Sequence, residues 1–144
     1  ALARGVAVIE AAGFRVDQGA SVFARDRYLA GDDAARAGDW HAMMADDEVA
    51  AVFCARGGYG CGRLLPHLDR QLLRDNPKVF VGHSDLTFLL TDLMQGAGLV
   101  AFHGPLVAAL DELATSAMLA TVTGDRAPWL LTAPTVVQPG TAEG

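Results

Sequence analysis

Val79-Phe80-Val81-Gly82-His83-Ser84-Asp85-Leu86-Thr87-Phe88-Leu89-Leu90-Thr91-Asp92-Leu93-Met94 changes its hydrophobic period once, and the change decides the fold. Its first three residues are apolar without alternation, which predicts a strand covered on both faces, as in a parallel sheet. From Leu86 onward the apolar residues Leu86, Leu89, Leu90, Leu93 and Met94 follow the stripe of a helix laid on that sheet. Gly82-His83-Ser84-Asp85 is therefore a tight turn from a buried strand into a helix.

The flanking sequence repeats this alternation. Val49-Ala50-Ala51-Val52-Phe53-Cys54-Ala55 upstream and Leu99-Val100-Ala101-Phe102 downstream are apolar at every position and predict two more buried strands. Asp32 and Asp33 supply an N-cap and a first-turn carboxylate for a helix over Ala34 to Ala45 that buries Ala37, Trp40 and Met44. A first helix over Leu2 to Ala12, with Val6 and Ile9 on one face, stops at Gly13. A short strand is expected at Phe14 to Val16, and an uninterrupted helix from Leu106 to Val122 that closes at Gly124. Trp129 to Thr132 and Val136 to Gln138 read as short strands among prolines, a texture that suggests a linker leaving the sheet. The fold class is α/β, a doubly wound, mostly parallel sheet flanked by helices. Ligands of such folds bind at the carboxyl ends of the strands. The expected division is a domain over 1–127 and a linker over 128–144.

Composition narrows the function. At 144 residues the chain has length for one core, and 51% hydrophobic against 19% charged residues excludes intrinsic disorder. Its apolar runs are strand-sized, below the roughly 18 to 20 residues of a membrane span, so no membrane role is expected. A net charge of -6 without a Lys/Arg cluster argues against nucleic acid as a partner. Cys54 and Cys61 have neither CxxC nor zinc-knuckle spacing, and His41, His67, His83 and His103 form no HxH or HxxxH pair. Free thiols, no metal site and no cofactor follow as expectations.

Three segments fall at predicted strand ends: Arg56 to Gly60, Gly82 to Asp85, and His103 to Pro105. A serine on a strand-to-helix turn has the placement of a nucleophile elbow, and the Asp85 N–H in the first helical turn would face a developing oxyanion. The competing reading of Ser84 is a plain N-cap. Leu86 favours the cap, since hydrolase elbows usually carry glycine there. The paired glycines Gly57 and Gly58 let main-chain N–H groups face a ligand, but neither the GxGxxG nor the Walker pattern is present, so a nucleotide cradle is disfavoured. His103 can serve as a catalytic base or make a structural hydrogen bond. Arg56 can recognise a substrate carboxylate or brace the turn by pairing with a carboxylate such as Asp85.

Tyr28-Leu29-Ala30-Gly31, Ala55-Arg56-Gly57-Gly58-Tyr59-Gly60 with Arg63-Leu64-Leu65-Pro66, Pro77-Lys78-Val79-Phe80, Gly82-His83-Ser84-Asp85 with Thr87, and Phe102-His103-Gly104-Pro105 occur in one order. In that order and spacing the chain resembles the N-terminal domain of the LD-carboxypeptidase family, serine peptidases of the muramoyl-tetrapeptide carboxypeptidase type. The resemblance implies a Ser-His-Glu triad with Ser84 as nucleophile, which displaces the N-cap reading. It places the glutamate and histidine on a C-terminal domain outside this chain; Glu143, in the junction, is not the triad glutamate. It also implies an oxyanion hole from the N–H of Asp85 and that of Gly57, with Gly58 as the alternative, and leaves Arg56 and His103 as substrate-binding candidates. The family's first strand would precede Ala1. Implied for the complete protein are a homodimer, a cytoplasmic location and release of the terminal D-alanine from murein tetrapeptides in peptidoglycan recycling. The nucleophile and oxyanion hole alone, without the base, would be inactive. A microcin-type self-immunity peptidase acting on an aminoacyl-nucleotide amide and a non-catalytic peptide-binding module are the alternatives.

Overall fold

Three parallel strands, β1 (Ala51–Phe53), β2 (Val79–Gly82) and β3 (Phe102–His103), lie side by side in the order β1-β2-β3 in a computed structural model describing residues 1–124. The register pairs Val52 with Phe80, and Gly82 with His103. Neighbouring residues of a strand face opposite ways, and β2 shows both directions. Phe80 is fully buried with Trp40, Met44, Leu73, Leu89 and Leu93, whereas Val81 is fully buried with Val6, Ile9, Val107, Leu110 and Met118. The sheet is thus covered on both sides. One side holds α2 (Asp33–Ala45), α3 (Arg70–Asp75) and α4 (Thr87–Ala97). The other holds α1 (Leu2–Ala11) and α5 (Glu112–Val122). Trp40 meets Phe80 edge to face at 4.8 Å, the favoured geometry for two ring quadrupoles.

The helix boundaries follow local chemistry. Asp32 caps α2 by accepting from the Ala35 N–H at 2.7 Å, a contact worth about 1 kcal/mol. Gly98, at φ 72°, takes the left-handed position that ends α4. Arg70 forks onto Asp92 and Arg74 donates to the Gly96 carbonyl, tying α3 to the end of α4.

Several expectations need correction. Phe14 to Val16 is a loop, because it has no neighbouring strand to complete its backbone hydrogen bonds among the described residues. β1 is shorter than its apolar run. The third strand is displaced to Phe102–His103, leaving Val100 75% exposed. Met94 is exposed as well, and Ala97 takes the last buried place on α4. The helix expected from Leu106 to Val122 is broken: Val107–Ala109 is a 3-10 turn, Leu110 is extended, and Asp111 caps α5 through the Ala114 N–H at 2.8 Å. Asp111, between Leu110 and Glu112, acts as a helix start because its carboxylate competes for the N–H groups ahead of it. The readings at Trp129 to Thr132 and Val136 to Gln138, and the linker over 128–144, lie outside the described residues.

Candidate active site

β2 leaves the sheet at Gly82, His83 continues extended at φ -153°, and Ser84 then turns into the left-handed region at φ 63° before the 3-10 turn Ser84–Leu86 leads into α4. A non-glycine residue there costs about 1–2 kcal/mol, so its surroundings must impose it. Three hydrogen bonds do so. The Thr87 hydroxyl donates to the Ser84 carbonyl at 2.6 Å, the His83 ring nitrogen Nδ1 pairs with the Gly104 carbonyl at 3.0 Å, and the Gly104 N–H donates to the Gly82 carbonyl at 3.1 Å. Gly82 must also be small, since a Cβ there would sit 3.0 Å from that of Leu86 and 3.3 Å from the Cys54 sulfur. The side chain of Ser84 caps no helix; the residue is exposed, and its hydroxyl has no hydrogen-bond partner among the described residues.

The glycine turn after β1 comes up against this elbow. A Cβ on Gly57 would lie 3.4 Å from the Ser84 Cβ and 3.6 Å from its Oγ, so the bare backbone of Gly57 faces the hydroxyl. The Gly57 and Gly58 N–H groups bond to nothing among the described residues. Gly58 and Gly60 adopt φ 140° and 124°, conformations that side chains resist. Tyr59, exposed between them, leans on Tyr28 with ring centroids 6.0 Å apart.

The remaining candidates part company. His103, in register with Gly82, is exposed at the same sheet end, its ring 5.8 Å from that of His83. The structural hydrogen bond considered for His103 belongs to His83. Arg56 is exposed, donates from Nε to the Gly57 carbonyl at 3.1 Å and joins no ion pair among the described residues. It does not pair with Asp85, whose carboxylate instead accepts the Cys61 N–H at 2.8 Å. Burial pushes both thiols up, Cys61 to about 12, so neither cysteine supplies a thiolate near neutral pH.

One constellation escaped the sequence reading. Asp33 receives a forked pair of bonds from Arg63 and another from Arg36, whose Nη1 reaches across to the Gly60 carbonyl at 3.2 Å. Asp33 carried a plainer local meaning as a first-turn carboxylate, and nothing in the sequence spacing links it to Arg63. The Arg63 hydrogen bonds, with those of Arg36, hold the Asp33 carboxyl at about 2 despite its partial burial. A carboxylate lowered on folding stabilises above its ordinary range and loses that contribution as pH falls toward its folded value. The stability gap between wild type and Asp33→Asn is therefore expected to stay flat from about pH 8 to 5 and to shrink below about pH 4. Thermal unfolding across that range measures it, and a gap that widens in acid would contradict the assignment.

A family model of the LD-carboxypeptidase N-terminal domain matches residues 1–104. The chain is 48% identical over 99 residues to a probable murein peptide carboxypeptidase of Bacillus subtilis, covering 69% of this chain and 31% of that protein. It is 42% identical over 103 residues to the murein tetrapeptide carboxypeptidase of Pseudomonas aeruginosa, covering 71% and 33%. The solved structure of a microcin C7 self-immunity protein shares the fold with a TM-score of 0.79 at 22% identity, over 97% of this chain and 48% of that one. The chain thus spans about a third of the length of the curated relatives it matches.

Proposed function

The chain belongs to the LD-carboxypeptidase family, and from that membership we propose that it carries the nucleophile half of a serine peptidase that releases the terminal D-alanine from murein tetrapeptides. The observation that carries the reading is Ser84 at φ 63° beside Gly57, the Ser84 hydroxyl and the Gly57 N–H both without a hydrogen-bond partner among the described residues. Ser84 Oγ attacks the carbonyl carbon of the bond before D-alanine, giving up its proton to a base. The carbonyl electron pair moves onto oxygen, and the N–H groups of Gly57 and Asp85 receive the oxyanion, with Gly58 as the alternative to Gly57. Collapse expels the D-alanine amine with the proton held by the base. Water then releases the acyl group from Ser84. The base and its orienting carboxylate, a histidine and a glutamate, come from the family's C-terminal domain in this reading. The same reading makes the complete protein a cytoplasmic homodimer.

The C-terminal carboxylate of the substrate needs a cation, and Arg56 is the candidate for it. It stands at the start of the glycine turn, outside any ion pair among the described residues. In a protein that joins this chain to the C-terminal domain, Arg56→Gln is expected to raise KM for tetrapeptide by about 10- to 100-fold, as loss of a charge-assisted contact does, and to change little for its C-terminal amide. Equal losses on acid and amide would remove Arg56 from recognition. Mass spectrometry of D-alanine release tests the activity itself. Cleavage of an aminoacyl-nucleotide amide in place of tetrapeptide would move the protein to the microcin-immunity branch.

A further inference from the structure

A single peptide group in the glycine turn is held from both ends. The carbonyl of Gly60 accepts from Arg36 Nη1 at 3.2 Å, and the N–H of Cys61, which belongs to the same planar amide, donates to the Asp85 carboxylate at 2.8 Å. Rotation of that plane would break both bonds together. The turn needs such a hold, because Gly57, Gly58 and Gly60 leave the backbone with little resistance of its own. Arg36 is in turn fixed by Asp33, itself held by Arg63. Its Nε is buried without a partner, so among the described residues Gly60 and Asp33 are the hydrogen-bond acceptors that fix the guanidinium. Asp85 directly follows Ser84. In the serine-peptidase reading, the residue that supplies one oxyanion N–H therefore uses its side chain to fasten the turn that presents Gly57.

We infer that Arg36 and the Asp85 carboxylate are positioning residues that set the distance between the two oxyanion donors by clamping the Gly60–Cys61 peptide. The inference rests on the serine-peptidase reading and adds residues to it. An oxyanion donor acts mainly once charge has moved onto the carbonyl oxygen, so loosening the clamp should lower kcat and leave KM nearly alone.

The test uses Arg36→Gln and Asp85→Asn in a protein joining this chain to the C-terminal domain, with Arg36→Lys as the conservative variant. Each of the first two is expected to lower kcat by about 10- to 100-fold, the range for displaced transition-state contacts, with KM within about threefold. Labelling of Ser84 by a fluorophosphonate, in which Oγ displaces fluoride at phosphorus while negative charge builds on the phosphoryl oxygen without any peptide, should slow by a similar factor. Arg36→Lys, which keeps the charge near the Gly60 carbonyl, should recover part of the loss. In the folded protein, exchange of the Cys61 amide hydrogen should accelerate in Asp85→Asn. Lower thermal stability with kcat and labelling unchanged would overturn the clamp while leaving the peptidase reading intact. Wild-type protein whose Ser84 is not labelled would overturn the reading and the clamp with it.

Discussion

Ser84→Ala is expected to lower kcat on murein tetrapeptide by about 10⁴- to 10⁶-fold in a protein that includes the C-terminal domain, leaving its unfolding temperature within a few degrees of wild type. The size follows from chemistry. Without Oγ no acyl intermediate forms, and the residual rate comes from oriented water and whatever oxyanion stabilisation survives. The small stability effect follows from exposure, since the Ser84 hydroxyl has no hydrogen-bond partner to lose among the described residues. Alanine also keeps the demand for φ 63°, so the turn persists under the same hydrogen bonds from its neighbours. Retention of more than about a tenth of the rate would remove Ser84 from the nucleophile role.

Gly5→Ala is expected to be the most damaging small substitution in the body of the fold. A Cβ at Gly5 would fall 1.8 Å from the Val107 carbonyl oxygen and 2.7 Å from its carbon, both of them backbone. The Val107–Ala109 turn has little freedom to retreat. Its Val107 and Ala108 N–H groups donate to the Cys54 and Ala55 carbonyls at 3.0 and 2.9 Å. Helix α1 must therefore move off the sheet, exposing Val6 and Ile9, at a cost of about 3 kcal/mol or more. Gly38, in the exposed part of α2 with nothing within 4 Å of its Cβ position, gives the opposite sign. There alanine should gain about 0.5–1 kcal/mol through helix propensity alone. Thermal unfolding of the two variants separates packing from propensity, and a Gly5→Ala protein as stable as wild type would refute the close docking of α1.

The alternation of strand and helix was legible because burial on both faces leaves an unbroken apolar run at Val79 to Val81 and a helical stripe after it. The glycine turn and the elbow were legible as well, since tight turns at strand ends require glycine or small polar residues. Where the reading failed, the period was ambiguous. Leu99 to Phe102 is apolar throughout, and only the ladder fixes pairing at Phe102 and His103. Leu106 to Val122 has no proline or glycine, so its break at Asp111 depended on capping chemistry inside an apolar context. The Arg63–Asp33–Arg36 cluster lay beyond reach for another reason. Ion pairs across 30 residues leave no period in the sequence.

The two sides of the sheet are also completed in a different order in time. Helices α2, α3 and α4 lie next to β1 and β2 along the chain and can cover their side as they are made. Helix α1 lies against a turn encoded about a hundred residues later, around Val107. At roughly 5–20 residues per second, a ribosome needs on the order of 5–20 s to supply that turn. Throughout this interval the apolar stripe of α1 lacks the Val107 turn and α5, although α1 is the first of the described helices to be synthesised. Among the described helices, the one made first is thus the one whose packing surface is completed late, and the helix that carries Gly5 bears that delay.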